Sequence, residues 1–128
     1  LPNIDREAFA AIDAARLGNP DARPPKILLL YGSLRERSYS RLVVEETERL
    51  LNAYGAQTRI FNPAGLPLPD GAEADHPKVL ELRELATWCD GMVWCSPERH
   101  GAMTGIMKAQ IDWIPLSIGP LDADADYS

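Results

Sequence analysis

Ile27-Leu28-Leu29-Leu30-Tyr31-Gly32-Ser33-Leu34-Arg35-Glu36-Arg37-Ser38-Tyr39-Ser40-Arg41 decides the reading of this chain, because a short apolar run empties into a polar loop that opens a helix. Four consecutive aliphatic residues suit a strand buried on both faces, as in a parallel sheet. Gly32 frees the backbone to turn sharply after it. Ser33, Ser38 and Ser40 supply short hydroxyls, and Arg35 adds a planar guanidinium able to grip a phosphate through two hydrogen bonds. The helix that follows directs unpaired N–H groups and a partial positive charge at the same place. Its field contributes about 0.3–1 kcal/mol, so hydrogen bonds must supply most of the grip.

The loop has neither Gly-x-Gly-x-x-Gly spacing nor the Gly-Lys-Ser/Thr ending of a nucleoside triphosphate site. Hydroxyls with one or two arginines fit a terminal phosphomonoester instead, such as that of flavin mononucleotide (FMN). Serines after a strand also serve as turn residues and helix caps, so the loop alone leaves both roles open.

The 128 residues support one domain, and 45% apolar composition is ordinary for a globular protein. A net charge of −6 with 13 scattered basic residues argues against a nucleic-acid partner. No apolar run approaches the roughly 20 residues that cross a bilayer, and Leu1-Pro2-Asn3-Ile4-Asp5 lacks the basic-then-hydrophobic pattern of an export signal. A cytoplasmic location without membrane contact is the expectation. Cys89 and Cys95 flank Gly91 with no disulfide framework, which predicts reduced, buried thiols. Joined only by His76 and His100, they offer no metal-ligand spacing. No Gly-x-Ser-x-Gly or well-placed histidine beside a serine or cysteine suggests hydrolysis.

Residues 1–25 read as an arm and linker, with a short helix from Arg6 to Leu17 and a stiff Gly18–Pro25 segment. The compact unit spans 26–116. Val43, Thr47, Leu50, Leu51 and Tyr54 recur at helical spacing up to the stop at Gly55. Gln57–Phe61 reads as a second strand ended by Asn62-Pro63, and a surface loop carrying Pro67 and Pro69 follows. Pro77 suits the first turn of a helix with Val79, Leu82, Leu85 and Ala86 inward, closed by Asp90-Gly91. Met92–Ser96 gives a third strand, Pro97–Gly101 a loop, and Met103–Trp113 a last helix, with an acidic, disordered tail at 117–128. This β-α-β-α-β-α order indicates a parallel α/β sheet with right-handed crossovers. Ligands bind such sheets beyond the carboxyl ends of the strands, so loops 32–41 and 97–104 meet in one pocket if strands one and three are neighbours.

Three segments taken together, Gly32–Ser38, Ser96–Gly101 and Gly105–Trp113, resemble the NADPH-dependent FMN reductases. Arg99-His100-Gly101, the run to Ile114 and the Leu-Pro-Asn-Ile-Asp arm are most similar to the arsenical-resistance (ArsH) branch. The resemblance implies a flavodoxin-like parallel sheet with helices on both faces, noncovalent FMN, oxidation of NADPH, and electron transfer to a small-molecule acceptor: quinones, dyes, oxygen or trivalent organoarsenicals. The hydride chemistry is the flavin's, so no catalytic acid–base pair and no metal is required. It further implies that Ser33, Arg35, Ser38 and Ser40 hold the FMN phosphate, that Pro97, Glu98, Arg99, His100 and Gly101 wrap the isoalloxazine edge, and that the protein is a homo-oligomer, a tetramer in that branch. Asp112-Trp113 is expected to pack in the core.

A flavodoxin-like sheet has five strands in the order 2-1-3-4-5, whereas only three strand runs occur here, so the fold is expected to stop after the third strand and its helix. That would leave the third strand as an open edge. The alternative functional expectation is a noncatalytic flavodoxin-like module acting in binding or oligomer assembly.

Overall fold

A computed structural model describes residues 23–115. The expected Arg6–Leu17 helix and the 117–128 tail lie outside the described residues. Three strands, β1 (Lys26–Tyr31), β2 (Gln57–Phe61) and β3 (Gly91–Cys95), form a parallel sheet in the order β2-β1-β3. The register pairs Leu29 with Ile60 on one side and with Val93 on the other. Helices α1 (Tyr39–Ala53), α2 (Pro77–Trp88) and α3 (Gly105–Trp113) cover the two faces. A 2-1-3 order is the first half of the flavodoxin-like arrangement, as expected from the sequence.

The middle of central β1, Ile27–Leu30, is aliphatic because both its faces are covered; Leu28, Leu29 and Leu30 are fully buried. Side chains alternate across a strand, so Leu28 and Leu30 enter a core with Phe61, Val79, Leu82, Met107 and Trp113 from the α2/α3 side. Leu29 and Tyr31 face the other way, against Val44 of α1. Pro77 opens α2 as expected, with His76 as its cap: the His76 Nδ1 accepts from the Lys78 N–H at 3.2 Å. At the base of the sheet Arg23 and the Lys26 N–H both donate to Asp90, tying the start of β1 to the approach to β3.

Several expectations are corrected. The inward stripe of α1 is Ser40, Val44 and Leu51, whereas Val43 is 53% exposed and Tyr54 is also exposed. Leu42-Val43-Val44 offers three apolar residues in a row, and packing of the helix against Leu29 and Tyr31 of the sheet decides which one faces in. The last helix starts at Gly105, not Met103: β4 (Glu98–Arg99) and β5 (Ala102–Met103) form a hairpin there. Its two-residue turn, His100-Gly101, has φ of 53° and 78°, the left-handed region that hairpins of this length require. Gly32, in turn, does not adopt a left-handed φ. It is glycine for want of space, since a Cβ there would lie 2.7 Å from Thr104 Oγ1 and 2.9 Å from both Met107 Cβ and Ser96 Oγ.

Candidate functional site

The carboxyl ends of β1 and β3 lie side by side: the Gly32 N–H donates to the Cys95 carbonyl at 3.0 Å. Loops 32–38 and 96–104 therefore leave the sheet together, as expected from neighbouring first and third strands. Between them opens a cleft of about 1060 Å³. It sits at the upper end of the roughly 300–1,000 Å³ typical of small-molecule sites.

On the β1 side the serines are built into the frame. Ser33, Ser38 and Ser40 are 7%, 3% and 7% exposed. Ser38 caps α1, its Oγ accepting from the Arg41 N–H at 3.1 Å and lying 3.4 Å from Ser40 Oγ. Ser33 Oγ accepts from the Arg35 N–H at 3.2 Å, which curls the loop back on itself. With Arg41 and Leu42 N–H groups satisfied by Ser38, the Tyr39 and Ser40 amides have no protein partner among the described residues. They are the donors an anion would meet. Arg35 lines the same cleft, and its guanidinium makes no hydrogen bond or ion pair with any described residue. Arg37 also lines it, with its guanidinium 5.9 Å from the Tyr39 ring centre.

On the β3 side a hydroxyl pair fixes the floor. Thr104 caps α3, its Oγ1 accepting from the Met107 N–H at 3.2 Å and donating to the Gly32 carbonyl at 2.7 Å. Ser96 Oγ accepts from the Thr104 N–H at 3.0 Å and donates to the Pro97 carbonyl at 2.8 Å. Thus the N-termini of α1 and α3 both open on the cleft, each adding partial positive charge. Pro97, Glu98 and Arg99 line it. His100 and Gly101 do not; they form the tip of the β4–β5 hairpin, where the Gly101 N–H donates to the Glu98 carboxylate.

Residues that sequence reasoning did not select complete the walls. Pro63, Leu66 and Leu68 of the segment expected as plain surface form one side, and Val43 contributes from α1. The Trp113 indole N–H donates to the Pro67 carbonyl at 2.7 Å, so the buried tryptophan also pins that wall. Cys95 lines the cleft as well, and burial pushes its thiol up, which keeps the sulfur protonated and a poor nucleophile. Both described cysteines are free. Among the described residues no cluster of His, Cys, Asp or Glu suits a metal, and no helix is long and apolar enough to cross a membrane.

This chain is by class a doubly wound α/β protein whose hydroxyl-rich loop lies at the switch point, where such sheets bind ligands. Its family is more particular: a family model described as NADPH-dependent FMN reductase matches residues 25–125, and the chain belongs to that family. It is 68% identical over 122 residues to the NADPH-dependent FMN reductase ArsH of Rhizobium meliloti, covering 94% of this chain and 51% of that protein. The ArsH of Acidithiobacillus ferrooxidans is 58% identical over 123 residues, covering 94% of this chain and 52% of its own length. The chain thus spans about half the length of the curated relatives it matches. Among solved structures, the flavoenzyme NAD(P)H:(acceptor) oxidoreductase FerB from Paracoccus denitrificans superposes with a TM-score of 0.61 at 25% identity, over 70% of this chain and 50% of that one.

Proposed function

We propose that these residues form the phosphate-anchoring part of an NADPH-dependent FMN oxidoreductase of the ArsH kind, one that passes electrons to quinones, dyes, oxygen or trivalent organoarsenicals. The observation that carries this reading is the convergence on one cleft of three buried serines, an unpartnered Arg35 and two capped helix N-termini. The residues present fit FMN: a dianionic phosphate suits the Tyr39 and Ser40 amides, the Ser33, Ser38 and Ser40 hydroxyls and Arg35, and the remaining volume with its apolar walls suits a flat ring system. When bound, the flavin supplies the hydride chemistry.

The chain's own residues bind and orient. Pro97, Glu98 and Arg99 offer main-chain groups at the ring edge, and we place His100 and Gly101 there through the hairpin whose tip they form. Leu66, Leu68 and Val43 exclude water from the ring. No side chain is asked to move a proton. We further read 26–116 as the flavin-binding unit, 1–25 as an arm, and the working protein as a cytoplasmic homo-oligomer, tetrameric by its resemblance to the branch.

The test is a visible absorption titration of the 128-residue chain with FMN, followed by NADPH consumption with ferricyanide. Arg35→Ala removes charge-assisted hydrogen bonds of about 1.5–3 kcal/mol, so FMN affinity should fall by roughly 10- to 100-fold. Unchanged affinity would reject the phosphate assignment. A second reading, the noncatalytic binding or assembly module, is favoured by one feature: β3 is an edge among the described strands and carries a 53% exposed Trp94. Colourless protein that takes up no FMN yet associates through that edge would decide for it.

A further inference from the structure

Gln110 is fully buried, in the middle of α3, and does not line the cleft. Its Nε2 donates to the Tyr31 carbonyl at 2.9 Å and to the Ile106 carbonyl at 3.1 Å, which fixes the orientation of the amide because both neighbours are acceptors. Its Oε1 is buried with no partner. A methionine or leucine would fill similar space without an unpartnered side-chain oxygen, so packing alone does not account for an amide here.

The reason lies in the sheet. The β2–β1 ladder begins with the Gln57 N–H donating to the Pro25 carbonyl at 2.8 Å, and the parallel register advances two residues at a time. Residue 63 is therefore the donor due opposite Tyr31, and Pro63 has no N–H. Gln110 supplies the missing donor from the helix. The Tyr31–Gly32 peptide is then held at both ends, by Gln110 on its carbonyl and by Cys95 on its N–H. Thr104 Oγ1 holds the next carbonyl, that of Gly32. Two consecutive carbonyls at the root of the anion loop are thus tied to one helix, immediately before Ser33.

We propose that Gln110 is a positioning residue for the phosphate site: through the Tyr31 carbonyl it sets the direction in which loop 32–38 leaves β1, and with it the aim of the Ser33 to Ser40 donors. The proposal rests on the phosphate-loop reading above. It adds a residue that never touches the ligand, in partnership with Thr104.

Gln110→Met in the full 128-residue chain tests it, because the substitution deletes the donor and also the stranded acceptor. Three measurements are made: the melting temperature without ligand, affinities for FMN and for riboflavin, which lacks the phosphate, and hydrogen exchange of the amides of residues 33–38. The expected result is a modestly lower melting temperature, because the Tyr31 carbonyl loses its donor, with FMN affinity reduced about tenfold, the equivalent of one hydrogen bond, riboflavin affinity unchanged, and faster exchange confined to the loop. Affinities and exchange equal to the parent's would overturn the proposal. So would an equal loss of FMN and riboflavin binding with exchange quickened across the whole sheet, which marks plain core damage. Should the parent bind no FMN, the flavin reading fails on its own, and loop exchange alone then decides on Gln110: faster supports positioning, unchanged rejects it. If Gln110→Met does not fold, Thr104→Val, with Thr104→Ser as the restoring variant, applies the same measurements to the second carbonyl tie.

Discussion

Replacing Gly32 by alanine tests the packing at the centre of the site. The added methyl would meet Thr104 Oγ1 at 2.7 Å, Met107 Cβ at 2.9 Å and Ser96 Oγ at 2.9 Å. Carbon contacts relax at about 3.5–4.0 Å, so each of the three is short by roughly half an ångström or more. None of the three can swing away. Met107 Cβ is fixed by the helix, and the two oxygens are engaged with Gly32, Met107, Thr104 and Pro97 main-chain groups. Overpacking of this kind costs about 1–3 kcal/mol, and losing the Thr104–Gly32 bond adds about 1 kcal/mol. A total of roughly 2–4 kcal/mol lowers the melting temperature by roughly 10–25 °C in a domain of this size. Urea and thermal unfolding without ligand measure it. Gly105→Ala is the control: nothing lies within 4 Å of its added methyl, it opens α3, and it should be neutral or slightly stabilising. A Gly32→Ala protein within 0.5 kcal/mol of the parent, a difference ordinary for harmless substitutions, would refute the claim that glycine is there for space.

Acid stability should depend on Asp90, whose carboxyl is held down at about 2, from an ordinary 3.8, first by the Arg23 hydrogen bonds and then by the Lys26 N–H. The folded value lies below the unfolded one, so its contribution is complete above about pH 4 and is lost as pH falls toward about 2. Asp90→Asn should flatten that part of an acid unfolding curve followed by circular dichroism, and an identical slope would exclude the assignment. Trp113→Phe removes the indole bond to the Pro67 carbonyl at a cost of about 1 kcal/mol, or roughly 4–8 °C. It should also speed hydrogen exchange at Leu66 in the cleft wall, and unaltered exchange there would show that the bond does not pin the segment.

Much of the fold was legible because its signals are local. The Ile27–Tyr31 run, the Asn62-Pro63 stop and Pro77 at a helix start each act within a few residues, and they mark β1, the end of β2 and the start of α2. The Ser33 to Ser40 cluster was legible for the same reason. What escaped depends on distance. Val44 rather than Val43 faces inward because neighbouring apolar residues leave the helix angle open until the sheet is in place. Two-residue strands carry no periodicity, so the β4–β5 hairpin hid inside what reads as a loop. The role of Gln110 requires knowing that Pro63 falls opposite Tyr31, a matter of register that no single segment states.

The tethering of the Tyr31 and Gly32 carbonyls to α3 bears on how a guest is received. A loop fastened at its root by the same bonds that stabilise the helix gives up most of its freedom during folding, so little ordering remains to oppose association. Recognition in such a cradle resembles a key entering a fixed lock more than a hand closing on it.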